Sequence, residues 1–272
     1  MSLPRTPGEV VLAVQNLSLK RESPFGVDLV DVSLQVRAGE VVGIAGVSGN
    51  GQRELLFALS GEDRRAPAAS VSIANQPAGQ RSPGQRRALG MHFVPEERLG
   101  RGAVPEMSLA DNLLLTRREA VGTLGWLRTG RLRDQAADII ERFRVKAAGP
   151  GAPARSLSGG NLQKFIMGRE IDAKPTLLIV SQPTWGVDVG AAAQIRAEIL
   201  ALRDAGCAVL VVSEELDELF ELSDRLHVMA KGRLSPSVAR RDAAVEQIGE
   251  WMSGLWHADV QQHLQQIEAS HD

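Results

Sequence analysis

The stretch Val41–Arg53, VVGIAGVSGNGQR, decides the fold. Its first five residues, Val41–Ala45, are apolar or small, which is typical of a short strand that is buried on both faces. A glycine-rich loop follows, in which Gly46 and Gly51 stand five positions apart, and then a segment whose leucines share one helical face. The stretch therefore predicts a buried strand that leads through a tight loop directly into a helix.

Predicted strands and helices alternate on both sides of this stretch. Apolar runs predict strands at Val10–Ala13, Leu29–Val36, Val71–Ile73, His92–Pro95, Leu177–Val180, Ala208–Val212 and Leu226–Met229. Helical spacing is found in Met107–Leu115, Leu132–Phe143, Leu162–Ile171, Ala191–Asp204 and Ala243–Glu268. Continuous apolar strands separated by helices favour a mainly parallel sheet that is covered by helices. The chain is therefore predicted to be an α/β protein.

The predicted elements divide the chain into three parts. Residues 1–9 contain proline and glycine without a period, which is typical of a leader, a linker or a remnant of expression. Residues 10–240 hold the alternating elements and form the main domain, in which the helix-rich stretch at about 97–172 predicts an inserted helical subdomain. Residues 241–272 are expected to form a C-terminal helical tail.

The composition limits the partners that we expect. The 272 residues are 43% hydrophobic and 24% charged, which is ordinary for a globular protein with a large core. A net charge of −2 gives no reason to expect nucleic acid or an anionic membrane surface as a partner. No run reaches the roughly 18 to 20 apolar residues of a membrane span, and no secretory signal opens the chain. Any membrane role is therefore expected to be peripheral.

The chain has one cysteine, Cys207, at the start of the apolar run Cys207–Val212. It cannot form a disulfide within the chain, which fits a reducing compartment. We interpret it as a small buried side chain rather than a reactive thiol.

The glycine-rich loop matches part of the phosphate-binding pattern G-x-x-x-x-G-K-[ST]. The candidate nucleotide-binding residues are Gly46, Ser48, Gly49, Asn50, Gly51, Gln52 and Arg53. Such a loop directs backbone N–H groups at an anion beside a helix N-terminus. Gln52 stands at the lysine position and is neutral, and Arg53 stands at the Ser/Thr position without an oxygen for Mg²⁺. A glycine-rich turn that binds no ligand remains the alternative interpretation.

A second glycine motif, Leu157-Ser158-Gly159-Gly160-Asn161, comes directly before a predicted helix and is followed by Gln163. A serine hydroxyl and glycine amides at a helix N-terminus can donate to a phosphate, although the same residues also suit an ordinary helix cap. The motif LSGGN and its place after the glycine-rich loop resemble the signature of ATP-binding-cassette ATPases. This resemblance implies a P-loop NTPase-like cassette with a mainly parallel core sheet, an N-terminal antiparallel β part and an inserted helical subdomain. It also implies ATP and Mg²⁺ as ligands.

The resemblance assigns the remaining positions of the cassette. Glu96 takes the place of the Q-loop glutamine, and Asp188 belongs to the D-loop. Ser181 and Gln182 replace the aspartate that organises Mg²⁺ and the glutamate that activates water, and Glu214 replaces the switch histidine. Glutamine can orient a water molecule but cannot accept its proton.

The chemical positions depart from the family pattern together, whereas the signature is complete. The departing residues are Gln52, Arg53, Ser181, Gln182 and Glu214, so the chain is expected to hold no metal of its own and to have no intact catalytic residue. The resemblance implies a division of labour, in which this signature completes the ATP site of a partner cassette. Its own ATPase activity is predicted to be absent or very weak.

One branch of the family is similar over several motifs: GVSGNGQREL, PEER, LSGGNLQKFIMGRE, QPTWGVDVGA and SEELDEL. They resemble the second cassette of tandem ATPases that serve bacterial importers of simple sugars or nucleosides. The resemblance implies a second cassette fused on the N-terminal side, transmembrane permease subunits and, indirectly, a solute-binding protein as partners. It implies a cytoplasmic, peripheral location on the inner face of the cell membrane, with docking through the stretch near Glu96–Leu115.

Three other functions remain open at this stage. A self-sufficient homodimeric ATPase would need the chemical groups that are missing here. A cassette protein of translation or DNA repair usually carries a long coiled-coil or basic insertion, and none is visible. A scaffold without nucleotide would leave the ATPase activity of a partner independent of Ser158 and Gly160.

Overall fold

The computed structural model describes residues 6–117 and 129–256. Its strands are β1 (Val10–Leu19), β2 (Leu29–Arg37), β3 (Val41–Ala45), β4 (Val71–Ile73), β5 (Gln76–Pro77), β6 (Met91–Val94), β7 (Leu177–Ser181), β8 (Ala208–Ser213), β9 (Arg225–Ala230), β10 (Arg233–Leu234) and β11 (Val238–Ala239). Its helices are α1 (Gln52–Ser60), α2 (Pro83–Arg87), α3 (Leu109–Leu114), α4 (Thr129–Arg142), α5 (Gly159–Asp172), α6 (Val189–Asp204), α7 (Leu216–Leu222) and α8 (Val245–Met252). The strand, loop and helix predicted for Val41–Arg53 are confirmed, with β3 at the expected bounds.

The chain divides into two compact units. The P-loop unit comprises Val10–Val36, Val41–Arg86 and Val212–Asp272, and the signature unit comprises Met1–Glu9, Arg37–Glu40 and Arg87–Val211. These bounds differ from the subdomain of about 97–172, which stays a proposal.

The P-loop unit contains an antiparallel sheet in the order β2-β1-β4-β5, which confirms the expected N-terminal antiparallel part. Strand β3 runs parallel to β9, with Gly43 opposite Leu226. A Cβ on Gly43 would lie 2.7 Å from a methyl carbon of Leu226 and 3.1 Å from one of Leu219. Glycine is therefore required where helix α7 packs against the strand that leads into the loop.

The signature unit is organised around helix α5. Strands β6 and β7 are parallel, with Met91 opposite Leu177, and α5 packs against β6 and against helices α4 and α6. Ten successive residues of α5, from Leu162 to Ile171, are buried. The polar side chains of a helix that is buried on all sides need hydrogen-bond or ion-pair partners within the protein.

Among these side chains, Glu170 is a carboxylate with no exposed surface, so its charge needs buried partners. It is fully buried and binds Arg169 Nε at 2.7 Å, Arg87 Nη1 at 3.0 Å and His92 Nδ1 at 2.5 Å. Burial alone would raise the pKa of the Glu170 carboxyl, but Arg169, His92 and Arg87 outweigh it and hold that pKa well below its usual range. Glu170 therefore stays ionised and ties the signature helix to strand β6 and to Arg87.

Two expectations about the rest of the chain have clear outcomes. Cys207 is buried, and burial raises the pKa of its thiol to about 12, so the interpretation as an unreactive core residue is confirmed. A helix begins within two residues of the expected Ala243, but it is not continuous as expected, because α8 ends at Met252 and Gly254 turns the chain with a φ of 88°. The remainder of the expected tail, residues 257–272, lies outside the described residues.

Arg86 closes the C-terminal end of α1, the helix that follows the glycine-rich loop. Its guanidinium is fully buried and donates to the carbonyls of Ala58 at 2.6 Å, Leu59 at 2.7 Å, Gly79 at 3.0 Å and Arg81 at 3.0 Å. The last carbonyls of a helix have no partner within it, so Arg86 supplies what the helix lacks. Burial lowers the pKa of Arg86 to about 10, and the side chain remains charged at neutral pH.

We expect Arg86→Leu to lower the free energy of unfolding by about 3 kcal/mol or more, because several buried carbonyls lose their donor at once. Urea denaturation followed by circular dichroism measures the change. Arg64→Leu, at an exposed arginine in the same unit, is the control and is expected to stay within about 0.5 kcal/mol. Equal denaturation midpoints for the two variants would contradict this role.

Candidate functional site

The glycine-rich loop has the backbone that its glycines predict. Gly49 and Gly51 have φ angles of 82° and 110°, which other residues rarely adopt. Asn50 anchors the loop to the turn after β9, since its carbonyl accepts from Gly232 N at 2.8 Å and its Oδ1 accepts from Lys231 N at 2.9 Å. The loop is therefore held in place at its centre and leads directly into α1.

The side chain of Gln52 closes this loop from within. Gln52 Oε1 accepts a hydrogen bond from Asn50 N at 3.0 Å, and Gln52 Nε2 donates to Val47 O at 2.9 Å. The amide also lies directly against Gly46, where a Cβ would collide with Gln52 Nε2. One of the backbone N–H groups that a phosphate would need is thus occupied by an oxygen of the chain itself. A phosphate would have to displace this amide without gaining a positive charge in return.

The positions that would hold Mg²⁺ do not fit the ion. Arg53 is exposed, and its guanidinium carbon lies 5.3 Å from the centre of the Phe57 ring, so a cation stands where a hydroxyl ligand is needed. Ser181 ends strand β7 as a buried neutral residue. Within residues 6–117 and 129–256, no group of three or more His, Cys, Asp or Glu side chains is arranged to bind a metal.

The residues at the water-activating and switch positions have local structural roles. Gln182 is buried in the left-handed region with a φ of 49°, and its carbonyl accepts from Gln163 Nε2 at 3.5 Å. Glu214 is exposed between β8 and α7. Beside it, Ser213 Oγ donates to Glu218 Oε2 at 2.8 Å in the first turn of α7. This agrees with the plain interpretation of the segment as an acidic helix N-terminus.

The signature motif lies at the N-terminus of the buried helix α5. Ser158 is the N-cap, and its Oγ accepts from Asn161 N at 3.4 Å and from Asn161 Nδ2 at 2.9 Å. Ser158 and Gly159 are exposed, although the helix behind them is hidden. A hydroxyl that accepts two hydrogen bonds still has its own proton to donate. The cap and a phosphate donor are therefore compatible roles of one residue.

The signature and the D-loop touch through their backbones. A Cβ on Gly160 would lie 2.8 Å from Gly186 O and 3.5 Å from Val187 Cα, so no side chain fits at Gly160 without moving the D-loop. Asp188 caps helix α6 by accepting from Ala191 N at 3.0 Å, and this hydrogen bond lowers the pKa of the Asp188 carboxyl. The structure thus brings together the predicted residues Gly160 and Asp188 in one surface region of the signature unit.

Arg98 is a residue of this region that the sequence reasoning missed. It donates to Gln163 Oε1 at 3.1 Å and to the carbonyl of Trp185, whereas the predicted Glu96 beside it is exposed. The motif PEER contains Arg98, but its contacts lie 65 and 87 positions away along the chain, and no local spacing indicates them.

The fold and these loops define the class of protein. A family profile described as "ABC transporter" matches residues 29–185, and the chain belongs to this family. The fold agrees with solved structures at low sequence identity. It has a TM-score of 0.71 to an ATP-binding subunit of an ABC transporter, at 20% identity over 89% of this chain and 99% of that one. It has the same TM-score of 0.71 to a dimeric ATP-binding cassette with bound ADP and Pi, at 19% identity over 85% of this chain and 99% of that one.

The curated relatives that the chain matches are named as import ATP-binding proteins. The chain is 40% identical over 250 residues to the nucleoside import ATP-binding protein NupA of Lactococcus lactis, covering 91% of this chain and 49% of that protein. It is 36% identical over 249 residues to the ribose import ATP-binding protein RbsA of Halalkalibacterium halodurans, covering 92% and 48%. It is 41% identical over 253 residues to the glucose import ATP-binding protein TsgD13 of Haloferax volcanii, covering 91% and 46%. The chain spans about half the length of the curated relatives that it matches.

None of the helices in residues 6–117 and 129–256 is both long and apolar enough to span a membrane.

Gln52→Lys is expected to increase the affinity of this chain for ATP by about tenfold or more, because it frees Asn50 N and adds a charge for the phosphates. Gln52→Met is the matched control, since it also removes both hydrogen bonds of the amide but adds no charge. Isothermal titration calorimetry of the purified chain with ATP measures all three proteins. Micromolar binding by the unaltered chain, with no gain in Gln52→Lys, would show that the amide does not block the loop.

Proposed function

We propose that this chain is an energy-coupling, ATP-binding cassette of an importer for simple sugars or nucleosides. In this function its signature completes the ATP site of a second cassette. Its own glycine-rich loop is a degenerate half-site that contributes little or no hydrolysis. The names and lengths of the curated relatives support the import class and the presence of a further segment in the whole protein.

The observation that carries the proposal is the contrast between the two glycine motifs. In the P-loop unit, Gln52 bonds to Asn50 N and Val47 O and fills the loop with a neutral amide. In the signature unit, Ser158 and Gly159 are exposed and their amides begin a helix of 14 residues. The glycine-rich loop therefore uses its own hydrogen-bonding groups internally, whereas the signature motif presents backbone N–H groups and a hydroxyl at the surface.

The electrostatics of α5 suit an external phosphate. The aligned peptide dipoles of a long helix place a partial positive charge at its N-terminus, and the backbone N–H groups of the first turn have no partner within the helix. Ser158 Oγ caps the amide of Asn161. A γ-phosphate held by a partner cassette would therefore find oriented donors at Ser158, Gly159 and Gly160.

The partners follow from the same proposal. A second cassette, fused on the N-terminal side in the whole protein, supplies the competent phosphate loop, Mg²⁺ site and catalytic base. Transmembrane permease subunits dock near Glu96–Leu115, where Leu99, Val104 and Leu115 are exposed apolar side chains. A solute-binding protein acts through the permease, and the cassette works on the cytoplasmic face of the membrane.

Gly159→Asp tests the proposal without disturbing the fold. Gly159 has ordinary helical φ, and a Cβ there would meet only the movable end of Arg98, at 2.7 Å from Nη1. An aspartate in the first turn of α5 is favourable for the helix by about 0.3–1 kcal/mol. The same carboxylate would repel a phosphate that approaches from a partner. We expect the assembled two-cassette ATPase to lose about 100-fold or more in hydrolysis, while the melting temperature of this cassette stays level or rises.

Gly159→Asn is the matched control, because it has the size of aspartate without the charge. Its ATPase activity is expected to remain at least about tenfold above that of Gly159→Asp. Gly160 is unsuitable for this experiment, since any side chain there meets Gly186 O within the chain. Full hydrolysis by a well-folded Gly159→Asp protein would reduce the motif to a helix cap.

A further inference from the structure

Arg98 makes contacts that the proposed function leaves unused. Its Nε donates to Gln163 Oε1 at 3.1 Å, and its Nη2 donates to Trp185 O. Its Nη1 lies 2.7 Å from the position that a Cβ on Gly159 would take, and 3.5 Å from that on Gly186. One guanidinium therefore reaches the signature helix, the D-loop and the edge of the signature motif.

Gln163 extends this contact into the unit. It is buried and donates through Nε2 to Pro183 O at 3.0 Å and to Gln182 O at 3.5 Å. Together with Trp185 O, which binds Arg98, three carbonyls in the four residues after β7 are held by two side chains. The chain that leads from β7 into the D-loop is thereby fixed to the first turns of α5.

The segment that carries Arg98 is itself closed by hydrogen bonds. Ala103 N donates to Arg98 O at 2.7 Å, and Gly102 N donates to Glu97 O at 3.0 Å. Arg101 Nη1 binds Glu97 Oε2 at 2.7 Å across the same turn. Arg98 is thus presented by a compact turn rather than by an open loop.

Packing alone does not explain a charged residue at this place. Burial lowers the pKa of Arg98, and Glu96 opposes this shift. Both acceptors of the guanidinium are neutral, and it stands beside the positive end of the α5 dipole. A neutral side chain would fill the space at a lower desolvation cost, but it could not reach two acceptors in the fixed geometry of the guanidinium fork.

We propose that Arg98 is a positioning residue that holds the D-loop turn and the signature glycines in one fixed arrangement. Because Gly160 and Gly186 O touch, the place of the signature motif depends on the place of the D-loop. Arg98 fixes the position of the D-loop by binding Trp185 O. It thereby connects the D-loop and the signature motif to the segment that begins at Glu96. Its effect on the partner's ATP site rests on the function proposed above.

The first measurement uses this chain alone. In Arg98→Lys the charge remains but the fork is lost, so we expect the amides of Trp185 and Val187 to exchange hydrogen about tenfold faster. Hydrogen exchange with mass spectrometry reads the segment directly. Arg101→Lys is the matched control, because Arg101 lies in the same turn and its guanidinium binds Glu97 and lies over Phe93. Its D-loop exchange is expected to be unchanged. Unaltered exchange in Arg98→Lys would overturn the proposal, whatever the function of the chain.

The second measurement uses the assembled two-cassette ATPase. We expect Arg98→Lys to lower kcat by about 10- to 100-fold with little change in KM for ATP, because the partner's loop still binds the nucleotide while the signature is misplaced. Faster hydrogen exchange in the D-loop without a loss in kcat would also overturn the proposal. Arg98 would then stabilise the local structure without affecting the ATP site of the partner. The comparison of Gly159→Asp with Gly159→Asn in the same assembly tests the proposed function separately, because both side chains meet the end of Arg98 and only the aspartate adds a charge. If Gly159→Asp is fully active, the proposed function fails, and the exchange result alone decides whether Arg98 positions the loop.

Discussion

The ionised contact of Glu170 with Arg169, Arg87 and His92 is the constraint on which the signature unit depends. Helix α5 is buried over ten successive residues, and the desolvation cost of a carboxylate in its last turns is offset by two arginines and by the hydrogen bond to His92. Once the helix is fixed at this end, its N-terminus is fixed as well, and the exposed signature residues have one position. Removing Glu170 would leave the buried Arg169 without its carboxylate partner, which is costlier than replacing the whole cluster by apolar residues.

In the P-loop unit, Arg86 fixes the end of helix α1, as the Glu170 cluster fixes the end of α5 in the signature unit. Arg86 does so through hydrogen bonds to carbonyls rather than through ion pairs. It binds two carbonyls at the end of α1 and two more in residues 79–81, without a carboxylate, so the C-terminal end of the helix after the glycine-rich loop is held in place. Both motifs thus sit at the N-terminus of a helix whose far end is anchored by buried charge. The two motifs differ in their side-chain hydrogen bonds, since Gln52 bonds within its own loop whereas Ser158 leaves its proton free to donate.

Much of this arrangement was predictable from local patterns, because strand and helix periods and helix caps are short-range. The strand Val41–Ala45, the helix after the loop and the cap at Ser158 follow from such patterns and are confirmed. The roles of Arg98 and Arg86 were not predictable from local patterns. Several of their hydrogen-bond acceptors lie far away along the chain, and most are backbone carbonyls, which the residue types do not reveal. The end of α8 was missed because the signal is one positive φ at Gly254 within an otherwise amphipathic stretch.

The internal hydrogen bonds of the glycine-rich loop also bear on how the stability of the protein depends on nucleotide concentration in the cell. A cassette that binds ATP in its native state gains stability in proportion to the logarithm of nucleotide concentration, and it loses that gain when the nucleotide pool falls. Here Gln52 and Asn50 hold the loop through hydrogen bonds within the chain. If the loop binds ATP only weakly, as the degenerate half-site of the proposed function would, the folding equilibrium of the P-loop unit would be the same in a starved cell as in a growing one. Its resistance to proteolysis would then be independent of the nucleotide concentration.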